Sequence, residues 1–179
     1  MRIYLRVIRA IDRFTEWSGY FFTVLLVPLV LANTVEVFMR YVLDSPTVWA
    51  LDTTVMSYGA LFMLGSAFTL MKGAHVRTDI FWQRFSNRKK GIIDSLTYLL
   101  FFLPAMAILF QLSFEEFTYA WSIDERSNYT PWQPVIWPLR GVVPLTALLL
   151  FVQGVSELLK SLWAANTGEL LSHHETIEL

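Results

Sequence analysis

Asn33, Glu36 and Arg40 recur at i, i+3 and i+7 in the stretch NTVEVFMR. Glu36 and Arg40 have the i, i+4 spacing of a helical ion pair, with the acid N-terminal. A carboxylate in an apolar run can carry a coupling proton or ion, whereas one paired with arginine can lock helices or snorkel to the membrane interface. Both readings stand here. Asp52 begins the next apolar run just after Trp49, where Arg40 or Arg140 could neutralise it. His75 lies in GAHVRTD; the other two histidines, His173 and His174, are in the C-terminal tail. A general base needs a positioned partner and a substrate pocket. The loop around His75 offers only Asp79, so a structural hydrogen bond is the expected role. No phosphate-binding glycine loop, zinc helix signature or nucleophile elbow is present. There is no cysteine, which excludes disulfides, thiolate metal sites and iron–sulfur clusters. No catalytic, substrate-binding, cofactor or metal residue is expected, and the chain is not expected to be an enzyme.

The elements that would hold these residues follow from hydropathy. The chain is 55% hydrophobic and 16% charged, against about 25% charge in an ordinary soluble domain. The charge is collected between long apolar runs, which predicts an all-α integral membrane protein with four spans, about 17–41, 49–71, 92–119 and 135–163. The third is longer than a hydrocarbon core and must tilt, bend at Pro104 or protrude. Residues 1–163 form one domain, and 164–179 form a polar tail. No small-x-small cleavage site follows the basic start, so cleavage as a signal peptide is not expected.

Two further segments have amphipathic spacing. In residues 2–16, Arg2, Arg6, Arg9 and Arg13 fall on one face and Ile3, Val7, Ile11 and Phe14 on another. In residues 79–89, Ile80, Phe81 and Phe85 share a face while Arg84 and Arg88 point away. Both are expected to lie at the membrane surface with cations toward lipid phosphates. Eleven of the fourteen Lys and Arg residues fall on one side of this topology and three (Arg40, Arg126, Arg140) on the other. That asymmetry predicts cytoplasmic termini. Trp17, Trp82 and Trp163 would mark the inner interface, and Trp49, Trp121, Trp132 and Trp137 the outer one.

In the second span, Gly59 and Ser66, and likewise Ala60 and Ala67, lie one heptad apart and would allow close helix approach, inside the bundle or onto a partner. Glu115, Glu116, Asp124 and Glu125 would form a solvated rim or a docking surface for an external partner.

Four spans, GAHVRTDIFWQRFSNRKK after the second and FVQGVSELLKSLW closing the fourth resemble the small membrane (Q) subunit of tripartite ATP-independent periplasmic (TRAP) transporters. Gly73, His75, Val76, Arg77 and Asp79 match the family's stretch after helix two. Trp49 and Asp52 match its opening of helix two, with Asp for the commoner Glu. Val152, Gln153 and Gly154, followed by Glu157, match its stretch in helix four. The resemblance implies an accessory scaffold for a large multi-span M subunit, which carries the substrate and sodium sites and moves as an elevator. It also implies a periplasmic substrate-binding P subunit and an organic acid as substrate. Glu36, Arg40, Trp49, Asp52, Gly73, His75, Arg77, Asp79, Arg140 and Gln153 are then candidate structural or subunit contacts. Trp17, Phe81, Trp82, Phe85, Arg84, Arg88, Trp137 and Trp163 are candidate membrane anchors. The alternative is an autonomous, oligomeric four-helix proton-coupled transporter with Glu36 as its carboxylate.

Overall fold

The computed structural model describes residues 2–73, 85–169 and 171. The described residues are helical apart from loops and one isolated antiparallel bridge between Arg126 and Val135. The helices are α1 (Arg2–Phe22), α2 (Leu26–Tyr41), α3 (Ala50–Met71), α4 (Asn87–Thr97), α5 (Leu103–Ser122) and α6 (Trp137–Thr167). A 3-10 turn, Thr23–Leu25, joins α1 to α2, and a π turn, Tyr98–Phe102, joins α4 to α5. Among the described residues, four helical runs are therefore long and apolar enough to cross a membrane: Tyr4–Tyr41, Ala50–Met71, Asn87–Ser122 and Trp137–Thr167.

Both irregular turns have a proline just beyond them. Pro28 and Pro104 lack an N–H, and their rings clash with the carbonyls of Val24 and Leu100, four residues back. The 3-10 and π turns re-route hydrogen bonding there without ending the helix. The bend at Pro104 is thus a π turn on its N-terminal side. The helix expected over residues 2–16 does not end near residue 16, because α1 continues to Phe22 and leads directly into the first span.

Each run holds one uncharged stretch, 17–35, 53–71, 95–114 and 141–156. At 1.5 Å per residue these measure about 24–30 Å, close to the roughly 30 Å of a bilayer core. The first, third and fourth runs extend beyond this thickness, so their ends project from it. One end of the molecule carries the start of α1 and the end of α6 and is called the terminal end. The other carries the loops 42–49 and 123–136 and is called the loop end.

The helices form a row rather than a closed bundle. α5 packs on α6, α6 on α3, and α3 on α2. The α1–α2 rod crosses this row obliquely. Its N-terminal part lies against α6 and α3, and α2 lies mainly against α3. Among the described residues, seven of the eleven buried apolar ones are alanines. Without a hydrophobic drive between helices in lipid, close approach through small side chains supplies the packing. On α3 the covered stripe is Ser57, Ala60, Leu64 and Ala67. Thus Ala60 and Ala67 form the buried heptad pair, while Gly59 and Ser66 are only partly covered, a Cβ on Gly59 coming within 3.5 Å of Leu139 on α6. Leu149 of α6 completes this cluster, with Phe22, Leu25, Leu139, Val142 and Leu150 around it.

Candidate functional site

The polar side chains gather at the two ends of the uncharged slab, where they fasten helices to one another. At the terminal end, Gln153 of α6 is fully buried. Its Oε1 accepts from Thr15 Oγ1 (2.8 Å), while Nε2 donates to Asp12 Oδ1 (3.1 Å) and Glu157 Oε1 (3.0 Å). Ser156 Oγ donates to Asp12 Oδ1 at 2.8 Å. Lys160 Nζ lies 2.9 Å from Asp12 Oδ2 and 2.8 Å from Glu157 Oε1. Two carboxylates, one ammonium and one amide thus hold α1 to α6 in a partly buried site: the Lys160 side chain is 11% exposed, that of Glu157 12% and that of Asp12 28%. Such a cluster is tolerable only because each charge has both an opposite charge and hydrogen bonds. Beyond it, Tyr4 stacks on Trp163 at 5.9 Å and its hydroxyl donates to the Leu159 carbonyl. Trp163, expected as an interface anchor, therefore packs against α1. Glu16 and Lys72 form a looser, exposed pair at 3.3 Å between α1 and α3.

Spacing explains why α1 can do this. Tyr4, Ile8, Asp12, Thr15 and Ser18 recur at three- and four-residue steps and so share a face. Ile8, Thr15 and Ser18 are buried there. Val7, Phe14 and Trp17 remain exposed on a second face, suited to lipid. The apolar stripe read from the sequence is therefore not the packed face, which carries the polar residues.

At the loop end, Arg40 Nε donates to Glu36 Oε1 at 2.8 Å. The other carboxylate oxygen of Glu36 accepts from the Thr47 backbone N–H (3.0 Å) and from the Thr47 hydroxyl. Asn33 Nδ2 donates to the Leu29 carbonyl (2.7 Å) and to Thr54 Oγ1 of α3 (3.1 Å). Together with Val48, Leu51, Thr130 and Pro131 these residues line an open cleft of about 290 Å³. Its polar groups are engaged with one another. Asp52 pairs with neither Arg40 nor Arg140. It is buried and accepts from the hydroxyls of Ser127 and Thr130, pinning the 123–136 loop over α3. The reason is that loop geometry delivers two hydroxyls to Asp52, while each arginine has a nearer acid. Arg140 Nη2 donates to Glu125 Oε1 at 2.9 Å, and Arg126 pairs with Asp124 at 3.0 Å.

Trp49 precedes α3, and its carbonyl accepts from the Thr53 N–H at 3.1 Å. Trp137 stacks on Trp121 at 5.0 Å, binding α6 to α5. Trp17 is 66% exposed and stacks on Phe21 at 5.8 Å. Gly73 follows α3 with φ +68°, a left-handed conformation open to glycine without strain. Arg88 lies in α4 and donates to the Asn166 carbonyl at 3.1 Å. It fastens α4 to the end of α6 instead of standing on a separate surface helix. Phe85 is exposed in the bend before α4. His75, Arg77, Asp79, Phe81, Trp82 and Arg84 lie outside the described residues. Among the described residues no group of three or more His, Cys, Asp or Glu could hold a metal ion.

The chain is also related to a known family. The family model described as tripartite ATP-independent periplasmic transporters, DctQ component, matches residues 29–163, about three quarters of the chain. The chain belongs to this family. No curated protein and no solved structure matches it. The molecule is thus a small membrane component of a TRAP transporter, and its four spans and family make it a protein of the inner membrane. The match includes the Gln153–Lys160 half of the terminal clasp but not Asp12 and Thr15, which this DctQ component supplies from α1. Sequence reasoning singled out Gln153 but missed Asp12, Thr15, Ser156 and Lys160. The available signal was the polar interruption of an otherwise apolar face at Asp12 and Thr15.

Proposed function

We propose that this subunit acts as the fixed membrane scaffold of its transporter, holding a large M subunit at constant depth while that subunit moves substrate. The observation that carries the reading is the use of the boundary charges. Asp12, Glu36, Glu125, Arg140, Glu157 and Lys160 fasten helices and loops within the chain, which suits a rigid scaffold and leaves these groups little capacity for cargo. The M subunit supplies the sodium and substrate sites, a periplasmic P subunit delivers an organic acid, and both termini face the cytoplasm. The test is purification of the tagged chain in mild detergent, followed by reconstitution with and without what accompanies it. Stoichiometric recovery of a large multi-span permease, with uptake only when both are present, is expected. Uptake by this chain alone, abolished in Glu36→Gln, would instead establish the autonomous proton-coupled transporter.

A further inference from the structure

α5 carries a polar group that its own chain does not satisfy. Gln111 is exposed, and its amide has no hydrogen-bond partner among the described residues. At 100° per residue it lies about 160° around the helix from Ser113, which is buried toward α6. Four residues on, Glu115 lies on the same side. Thr146 Oγ1 and Trp163 Nε1 of α6 also lack a partner among the described residues, but both atoms are buried inside the chain, whereas Gln111 faces outward. Most other polar side chains of the spans are satisfied locally. Thr23, Thr34, Ser66, Thr97 and Thr118 each donate to a carbonyl of their own helix, and Asn33 reaches both Leu29 and Thr54.

The depth of Gln111 makes this costly in lipid. It lies four residues, about 6 Å, inside the end of the uncharged run at Glu115. α5 begins at mid-run and ends at the boundary, and helical side chains lean toward the N-terminus. The amide is therefore aimed toward the bilayer centre, against the direction in which it would snorkel. On its N-terminal side the surface is low, with Pro104 and Ala107 exposed in line with it, and the larger exposed Ile108 and Phe114 flank this stripe. The opposite edge of the row offers no such feature, since Val27, Val30, Leu31, Val35 and Val37 of α2 present branched apolar surface.

We infer that the Pro104–Ala107–Gln111–Glu115 stripe of α5 is the docking surface for a transmembrane helix of the large partner subunit. That helix would present a hydrogen-bonding side chain to Gln111 within the membrane and a polar or cationic group to Glu115 at its boundary. The inference rests on the scaffold reading above. Small residues admit the partner backbone, and the interhelical hydrogen bond fixes its register.

The chain has no cysteine, so Ala107→Cys and Ile108→Cys can each carry a single benzophenone label, with Val30→Cys and Val37→Cys on α2 as controls. Irradiation of the assembled complex is expected to join the α5 labels to the large subunit. Adducts of the α5 labels with lipid only, or with a second copy of this chain, overturn the surface while leaving the scaffold reading intact if the large subunit still co-purifies. If no large subunit co-purifies with the unlabelled chain, both fall. In parallel, Gln111→Leu should weaken retention of the large subunit about threefold to tenfold, with the thermal unfolding of the isolated chain unchanged. Unaltered retention would contradict the role of the amide.

Discussion

Gln153 uses both amide hydrogens and its carbonyl oxygen on groups from two helices. Leucine at this position would match its size and strip hydrogen bonds from Asp12, Glu157 and Thr15 together. Removing the cation has a larger effect, because Lys160→Met leaves the partly buried carboxylates of Asp12 and Glu157 without the cation they share. We expect Lys160→Met to destabilise the protein by about 3 kcal/mol, and Gln153→Leu by about 2 kcal/mol, read as lowered unfolding midpoints in detergent. Adding Asp12→Asn to Lys160→Met should recover part of the loss. Failure to recover any would mean that the lysine acts through packing alone. Gln153 and Glu157 were legible because they fall in the helix-four stretch that resembles the family. Asp12 was not, because its partners lie 141 to 148 positions away in the chain, and its basic neighbours drew it into a surface-helix pattern. Asp52 was similarly misread: an acid near two arginines on a sequence map bonds instead to hydroxyls that only the folded loop brings to it.

Between elements, clearance decides which substitutions are tolerated. A Cβ on Gly91 of α4 would enter the backbone of α6 at Ser161 and Ala164. Backbone cannot turn aside, so Gly91→Ala must force α4 and α6 apart. A Cβ on Gly154 would meet the ring of Phe102 in the π turn at 2.6 Å, and a ring can rotate. We therefore expect Gly91→Ala to cost about 3 kcal/mol and Gly154→Ala about 1 kcal/mol. Thermal unfolding of the two variants, measured side by side, checks the ranking, and equal midpoints would refute it. The spans themselves were visible in hydropathy. Their irregularities were only half visible, since Pro104 announced a bend and Pro28 announces one equally well. Whether a proline in a membrane helix yields a 3-10 turn, a π turn or a plain kink depends on neighbouring helices that re-satisfy the freed carbonyls.

The molecule as a whole is a row with a centre and two edges. α6 has neighbours on several sides, while α2 and α5 each lean mainly on one helix. Hydrogen exchange in detergent should therefore reach α6 last, with α2 and the outer half of α5 exchanging earlier. Uniform protection across all spans would show that the edges are held as firmly as the centre. The oblique course of the α1–α2 rod gives this row a further property. Upright members fastened only side by side form a rectangle that racks under a sideways push, each sliding along the next. A strut tied near one corner to α6 through Asp12 and Thr15, and toward the opposite corner to α3 through Asn33 and Thr54, divides the rectangle into triangles. A triangle cannot rack without stretching a side. A neighbour travelling up and down against this wall would find it stiff along its direction of travel.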